Sequence, residues 1–280
     1  MTVDELDELQ GQRRTVDANG LRHSVLTYGD PTHPALLILP GITTPAACAD
    51  FLATRLSEIG FRVVVPDVRG RGRSGRAASG GYRLVDYAVD VAGLVDALDL
   101  RAPVIVGHSM GARIAAAYAI RHAHDDHGPL VLVDPPTSGP GRPPYPTTRQ
   151  AFLNQLRQAQ AGTTADGVAA FYPGWPRREL ELRARYLATC DETAVVETHE
   201  GFETEDFFEY WTELRGTVLL VHGADSPVVP PDAVDELRRT RPDIPVIPVT
   251  GTGHMVPWDD LDQFLDLLTP HLLSYRENKE

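Results

Sequence analysis

The chain has 280 residues, enough for one substantial core or for one core with a small lid. Its composition is ordinary for a globular protein, 42% hydrophobic and 23% charged, and 26 basic against 39 acidic side chains give a formal charge of −13. That balance disfavours nucleic acid and anionic membrane surfaces as partners, while a locally basic pocket for a small anion stays open.

Cys48 and Cys190 are the only cysteines and form neither a metal-spacing motif nor a disulfide framework. No apolar run approaches a membrane span, and the opening Met1-Thr2-Val3-Asp4-Glu5 has no signal-peptide character. The expectation is a cytoplasmic, soluble protein.

In chain order, residues 1–12 are polar and acidic and suit a short surface helix. Residues 13–29 alternate as one or two strands turning at Asn19-Gly20. The apolar run 36–39, closed by Pro40-Gly41, predicts a buried strand, 46–59 has helical spacing, and 62–66 is the next strand. The Gly- and Arg-rich segment 67–75 reads as a structural loop in which arginines and aspartate brace each other. Its glycine spacing does not make a dinucleotide fingerprint. A helix over 84–99, a strand over 104–106, an alanine-rich helix over 109–122 and a strand over 130–133 follow. The rhythm then breaks in a Pro- and Gly-rich linker, 137–149. Helices are expected over 151–161, 177–188 and 205–214, before strand 218–221, helix 231–240, strand 245–249 and a last helix from 261 to about 273.

Alternating strands and helices argue a mostly parallel central sheet with helices on both faces. We expect a core of residues 1–136 and 214–280 with a helical cap, 137–213, inserted after the sixth strand. Ligands of such sheets bind beyond the carboxyl ends of the strands. Gly41, Asp67, Ser109, Asp134, Asp225 and His254 all follow such ends.

Gly107-His108-Ser109-Met110-Gly111 lies between an apolar strand and an alanine-rich helix, the context a G-x-S-x-G nucleophile elbow needs. Glycines permit the sharp turn, and the helix start supplies amide donors for developing negative charge. A serine hydroxyl needs a base. His254, in Gly253-His254-Met255 after the last strand, has the right place in the order serine, acid, histidine. Asp134 and Asp225 both follow strands and compete for the acid. The elbow rule assigns one oxyanion donor to the N–H of Met110 and the other to the loop after the first central strand. Pro40 has no N–H to offer, so Ile42 is the expected second donor. His108 and His222, at strand ends, are candidates to line the pocket. So are Trp175, Trp211 and Trp258, although aromatic residues equally pack a cap onto a core. Arg142, Arg149, Arg177, Arg178, Arg183 and Arg185 are candidates for a carboxylate clamp.

The elbow, the 67–74 loop and the Gly253-His254 ending resemble the α/β-hydrolase superfamily. The superfamily's common acid loop, G-x-x-D-x-x-V-P, meets Gly223-Ala224-Asp225-Ser226-Pro227-Val228-Val229-Pro230 here. Ser226 stands at the acid position and Asp225 falls one residue early. Within the superfamily the chain is similar to the deformylases of N-formylmaleamate. The strings that carry this are Val133-Asp134-Pro135-Pro136-Thr137-Ser138-Gly139-Pro140-Gly141-Arg142 and Gly253-His254-Met255-Val256-Pro257-Trp258-Asp259-Asp260-Leu261-Asp262. That resemblance implies Asp134 as the triad acid, with Asp225 the alternative. It also implies a small, carboxylate-bearing N-formyl amide acid as substrate, formate as a product, and no metal or cofactor. The rival readings are a carboxylesterase or carbon-carbon bond hydrolase with the same triad, and a non-catalytic small-molecule binding protein on the same fold.

Overall fold

The computed structural model describes residues 9–123 and 127–277. Eight strands form one sheet: β1 (Gln12–Ala18), β2 (Leu21–Tyr28), β3 (Ala35–Leu39), β4 (Arg62–Pro66), β5 (Val104–His108), β6 (Leu130–Val133), β7 (Val218–Gly223) and β8 (Val246–Val249). Their spatial order is β1-β2-β4-β3-β5-β6-β7-β8. The β1–β2 and β2–β4 pairs are antiparallel, and every later pair is parallel. Asn19 and Gly20 both take positive φ, the requirement of a two-residue hairpin turn that follows the strands' twist.

The central strands are apolar along their whole length because both faces are covered. Leu37 and Leu39 of β3 face one core with Ile105, Leu130 and Leu132; Leu36 and Ile38 face the other with Val104, Val106, Val131 and Val133. The first face is covered by α2 (Leu84–Ala97) and α3 (Met110–Tyr118), the second by α1 (Asp50–Glu58) and the C-terminal helix described below. Small side chains let α3 lie close to the sheet, and every residue of it is buried.

Between β6 and β7 stand α4 (Arg149–Gln160), α5 (Ala165–Ala169), α6 (Arg177–Tyr186), α7 (Glu192–Thr204) and α8 (Phe207–Trp211). After β7 come α9 (Pro231–Thr240), then β8, the short α10 (Val256–Asp259) and α11 (Leu261–Glu277).

Several elements depart from expectation. Of the surface helix expected over 1–12, residues 1–8 lie outside the described residues and Gln12 already belongs to β1. The helix expected over 109–122 is α-helical only to Tyr118, followed by a π turn over Ala119–Ala123. Helix α7 was not legible, because its Thr193, Val195, Val196 and Thr198 are β-branched and Gly201 interrupts it. It is held by the Asp191 side chain, which accepts the Ala194 N–H at 3.0 Å, and by burial of Val195 and Phe202.

The loop after β4 braces its neighbours more than itself. Buried Asp67 accepts the amides of Ala46 at 2.8 Å and Arg73 at 3.0 Å, while Arg69 pairs with Asp90 across 2.5 Å. Fully buried Arg71 donates to the Ile42 carbonyl at 2.9 Å, to the Tyr87 hydroxyl at 2.5 Å and to Thr198 Oγ1 at 3.0 Å.

Candidate active site

The parallel strands β3, β5, β6 and β7 end on one edge of the sheet, and the polar residues of interest gather there. At the end of β5 the chain turns through Ser109, whose φ of 55° and ψ of −119° are strained for a residue with a side chain. The flanking glycines make the turn sterically feasible: a Cβ on Gly107 would collide with the Gly111 carbonyl, and one on Gly111 with that of Leu39. The Ser109 N–H is fixed to the Val133 carbonyl at 2.8 Å, so the turn is tied to β6.

Ser109 Oγ lies 3.0 Å from His254 Nε2, and His254 Nδ1 lies 2.7 Å from Asp134 Oδ2. The carboxylate accepts from Nδ1–H, which leaves the Nε2 lone pair facing the serine hydroxyl. Asp134 is fully buried and has a positive φ of 48°. Its Oδ1 accepts the Gly223 N–H at 2.9 Å and its Oδ2 the Ser226 hydroxyl at 2.6 Å. Three donors thus converge on this carboxylate and fix it against the imidazole. Ser226 is itself oriented by the Val228 N–H at 3.2 Å. Asp225 is exposed, with its amide turned back to the Thr252 carbonyl, and takes no part in this chain.

His108 lies beside His254. Its Nε2–H donates to the His254 carbonyl at 2.8 Å, and its ring centroid is 5.0 Å from that of His254. Burial, with a contribution from His254, pushes its pKa down to about 3, so the ring is neutral and its buried Nδ1 is a bare acceptor. The ring therefore props the loop that carries His254.

A cavity of about 200 Å³ opens over Ser109 and His254. From the sheet side it is lined by the loop Gly41, Ile42, Thr43 and Thr44. A Cβ on Gly41 would sit 3.5 Å from Ser109 Cβ, which measures how closely this loop approaches the elbow. Met110 follows Ser109 in the chain and opens α3, so its N–H has no preceding turn to donate to, and Ile42 lines the same cavity as Ser109. Tyr145, Phe152, Gln155, Tyr172 and Arg183 line the cavity from the segment between β6 and β7.

Tyr145 was missed by sequence reasoning because it sits in the stretch read as linker. Its hydroxyl lies 3.4 Å from His254 Nε2; burial raises its pKa well above the ordinary phenol value. A lone tyrosine among prolines gives no periodicity to detect.

Of the residues expected to line the pocket, His108 does. The structure corrects others. Trp211 is fully buried away from the cavity, its indole N–H given to the Leu237 carbonyl and Thr240 Oγ1. His222 is buried at the end of β7, with Nδ1 engaging the Gly223 carbonyl at 3.0 Å, and does not border the cavity. Trp175 and Trp258 form a second layer: Trp175 stacks on Tyr172 at 4.1 Å and on Trp258 at 5.7 Å, and Trp258 packs on His108 at 5.3 Å. The candidate arginines also separate. Arg142, Arg149, Arg177 and Arg178 are each paired with carboxylates outside the cavity, and Arg185 is exposed. Arg183 alone of the six borders it.

Among the described residues no cluster suited to a metal ion occurs, and no helix is long and apolar enough to cross a membrane.

Residues 34–261 match the model of the alpha/beta hydrolase fold family. The chain is 41% identical to an N-formylmaleamate deformylase of Pseudomonas putida over 249 residues, covering 89% of this chain and 92% of that one. It is 29% identical to a 2-(acetamidomethylene)succinate hydrolase of Mesorhizobium japonicum, covering 87% and 88%. The crystal structure of an N-formylmaleamic acid deformylase from Pseudomonas putida S16 superimposes with a TM-score of 0.84 at 38% identity, covering 91% of this chain and 99% of that one.

Proposed function

The chain belongs to the α/β-hydrolase fold family, and from that premise we propose that it is a serine hydrolase that removes the formyl group of a small N-formyl amide acid. The observation that carries the proposal is the hydrogen-bonded series Ser109–His254–Asp134 at the floor of a small cavity. The identity to deformylases over most of the chain points to the formyl amide as the reacting group.

In the reaction, Ser109 Oγ attacks the formyl carbon while its proton passes to His254 Nε2. Asp134 stabilises the imidazolium that forms. The N–H groups of Ile42 and Met110 receive the oxyanion of the tetrahedral intermediate. The intermediate collapses with cleavage of the C–N bond, and His254 returns its proton to the departing nitrogen. That nitrogen carries a second acyl group in an N-formyl amide, so it leaves more readily than an amine would. Water then attacks the formyl-enzyme with His254 as base, and formate and the free amide acid depart. Tyr145, with its hydroxyl beside His254 Nε2, would hold the leaving nitrogen during proton return. Every step is carried by side chains and amides of this chain.

Residues 137–213 serve as the cap in this reading and supply most of the wall that selects substrate, with residues 1–136 and 214–280 as the core. The protein acts on a small molecule, and the deformylase reading makes that molecule a carboxylate.

The direct test is formate release from N-formylmaleamate, compared with hydrolysis of simple p-nitrophenyl esters. The reading expects the imide to be the better substrate; ester turnover without formate release would move the assignment to a carboxylesterase. Covalent labelling of Ser109 by a fluorophosphonate, absent in Ser109→Ala, separates an enzyme from a binding protein on the same fold.

A further inference from the structure

We propose that Arg183 is the specificity-determining residue of this cavity, its guanidinium receiving the carboxylate of a small anionic substrate. The inference rests on the amide-acid reading above and adds to it the group that recognises the acid.

Arg183, on α6, is only 4% exposed, yet it borders the same cavity as Ser109 and His254. Its guanidinium donates to the Thr43 carbonyl and, at 2.9 Å, to Thr43 Oγ1. Both acceptors are neutral and belong to one residue, and no carboxylate of the described residues pairs with it. A buried cation without a counter-charge is costly, and a guanidinium has five donors to satisfy. Two other buried arginines also lack a carboxylate partner, but they differ. Arg71 and Arg113 spread their donors over carbonyls and hydroxyls of several residues, and neither borders the cavity. Arg183 is therefore the one buried cation of the three that borders the space where a substrate binds.

The surroundings strengthen the point. The same cavity wall includes the neutral side chains of Tyr145, Phe152, Gln155, Tyr172 and Met255. In such a lining an ion pair is screened less than at the surface. The protein as a whole carries a charge of −13 and disfavours anions, so a local cation is what admits one. The fork of a guanidinium matches a carboxylate with two parallel bonds and fixes its orientation as well as its charge. Thr43 in turn links this group to the loop of Ile42, so substrate charge and oxyanion site share one anchor.

The test compares kcat/KM on N-formylmaleamate and on (Z)-N-formylbut-2-enamide, the same formyl imide with a methyl group in place of the carboxylate, in wild type, Arg183→Gln and Arg183→Lys. The ratio of the charged to the neutral substrate should fall about 100-fold in Arg183→Gln, chiefly through KM, for loss of a buried charge-assisted pair. Arg183→Lys, which keeps the charge and loses the fork, should fall about 10-fold. If both substrates lose activity alike and the ratio holds within about threefold, Arg183 merely pins Thr43 and the proposal is overturned. Absence of formate release from either substrate by wild type would defeat the deformylase reading alone. Inhibition of p-nitrophenyl acetate hydrolysis by maleate then decides the present one. A Ki about 100-fold higher in Arg183→Gln sustains it, and an unchanged Ki overturns it.

Discussion

The hydroxyl of Ser226 donates to Oδ2 of Asp134 at 2.6 Å, across two neighbouring strand ends. In the pattern common to this superfamily the position of Ser226 holds the acid. Here the carboxylate comes from the end of β6 and the loop after β7 returns a donor to it. The strand end that supplies the acid is thus exchanged, and a donor to it stands at the pattern's acid position.

That exchange predicts a sharp asymmetry between two aspartates. Asp134→Asn should lower kcat by about 10⁴-fold, because an amide in its place no longer holds His254 in the right tautomer. Asp225→Asn, at an exposed side chain, should leave kcat within about threefold of wild type, in line with other surface changes. Steady-state rates of formate release settle the comparison. Equal losses would refute the assignment of Asp134.

Ser226→Ala removes one of three donors to Asp134 and should reduce kcat by about 10-fold, in keeping with the loss of a hydrogen bond to a charged group. The informative variant is the double change Asp134→Ala with Ser226→Asp, which moves the carboxylate to the β7 loop. It should recover at least about 10-fold over Asp134→Ala alone, since a carboxylate would again face His254 Nδ1. No recovery would mean that the β7 loop cannot bring a carboxylate to the imidazole.

Arg71 and Arg183 hold consecutive carbonyls of the loop that offers the Ile42 amide. Arg71 is fully buried and does not itself line the cavity, so it acts by position alone. Arg71→Met should cut kcat by about 100-fold with little change in KM, the loss expected when one oxyanion donor drifts. A parallel fall in thermal stability is expected as well, because Tyr87 and Thr198 each lose a donor. A variant that loses stability but keeps its kcat would show the bond to Ile42 to be irrelevant to the chemistry.

His108 predicts a pH dependence of stability. Its pKa drops from an ordinary 6.5 to about 3 in the fold, because the buried ring cannot be charged. Between those values the unfolded chain binds the proton and the folded chain does not. The stabilisation is therefore fully present above about pH 6.5 and is lost progressively as pH falls toward about 3. Buried His23, whose pKa is also lowered, acts in the same direction. In His108→Gln, which keeps a donor for the His254 carbonyl, the melting temperature should fall less steeply between pH 6.5 and 4 than in wild type. Identical slopes would place the acid sensitivity elsewhere.

Much of the architecture was legible locally. The apolar runs ending at Leu39, Val106 and Val133 mark strands buried on both faces, and the strand–Gly-x-Ser-x-Gly–helix order marks the elbow, because only that chain path needs glycines on both sides of a serine. His254 stood out by its place after the last strand, and Ser226 by occupying the position of an acid. What periodicity could not reach was everything that depends on two distant segments meeting. Asp134 and Asp225 look alike in sequence, and they separate only because β6 and β7 are adjacent, which brings Asp134 under His254 and leaves Asp225 in solvent. Trp211 and Trp175 look equally like lining residues, yet one is buried against α9 and the other stacks behind Tyr172. Tyr145 and Arg183 reach the cavity only through the packing of the segment between β6 and β7, where burial and the absence of a counter-charge are properties of the fold. Residue type and spacing thus determined the chemistry this chain is built to attempt, and tertiary contact decided which carboxylate, which aromatic rings and which cation stand close enough to take part, because hydrogen bonds and ion pairs act over a few ångströms and sequence distance carries no such measure.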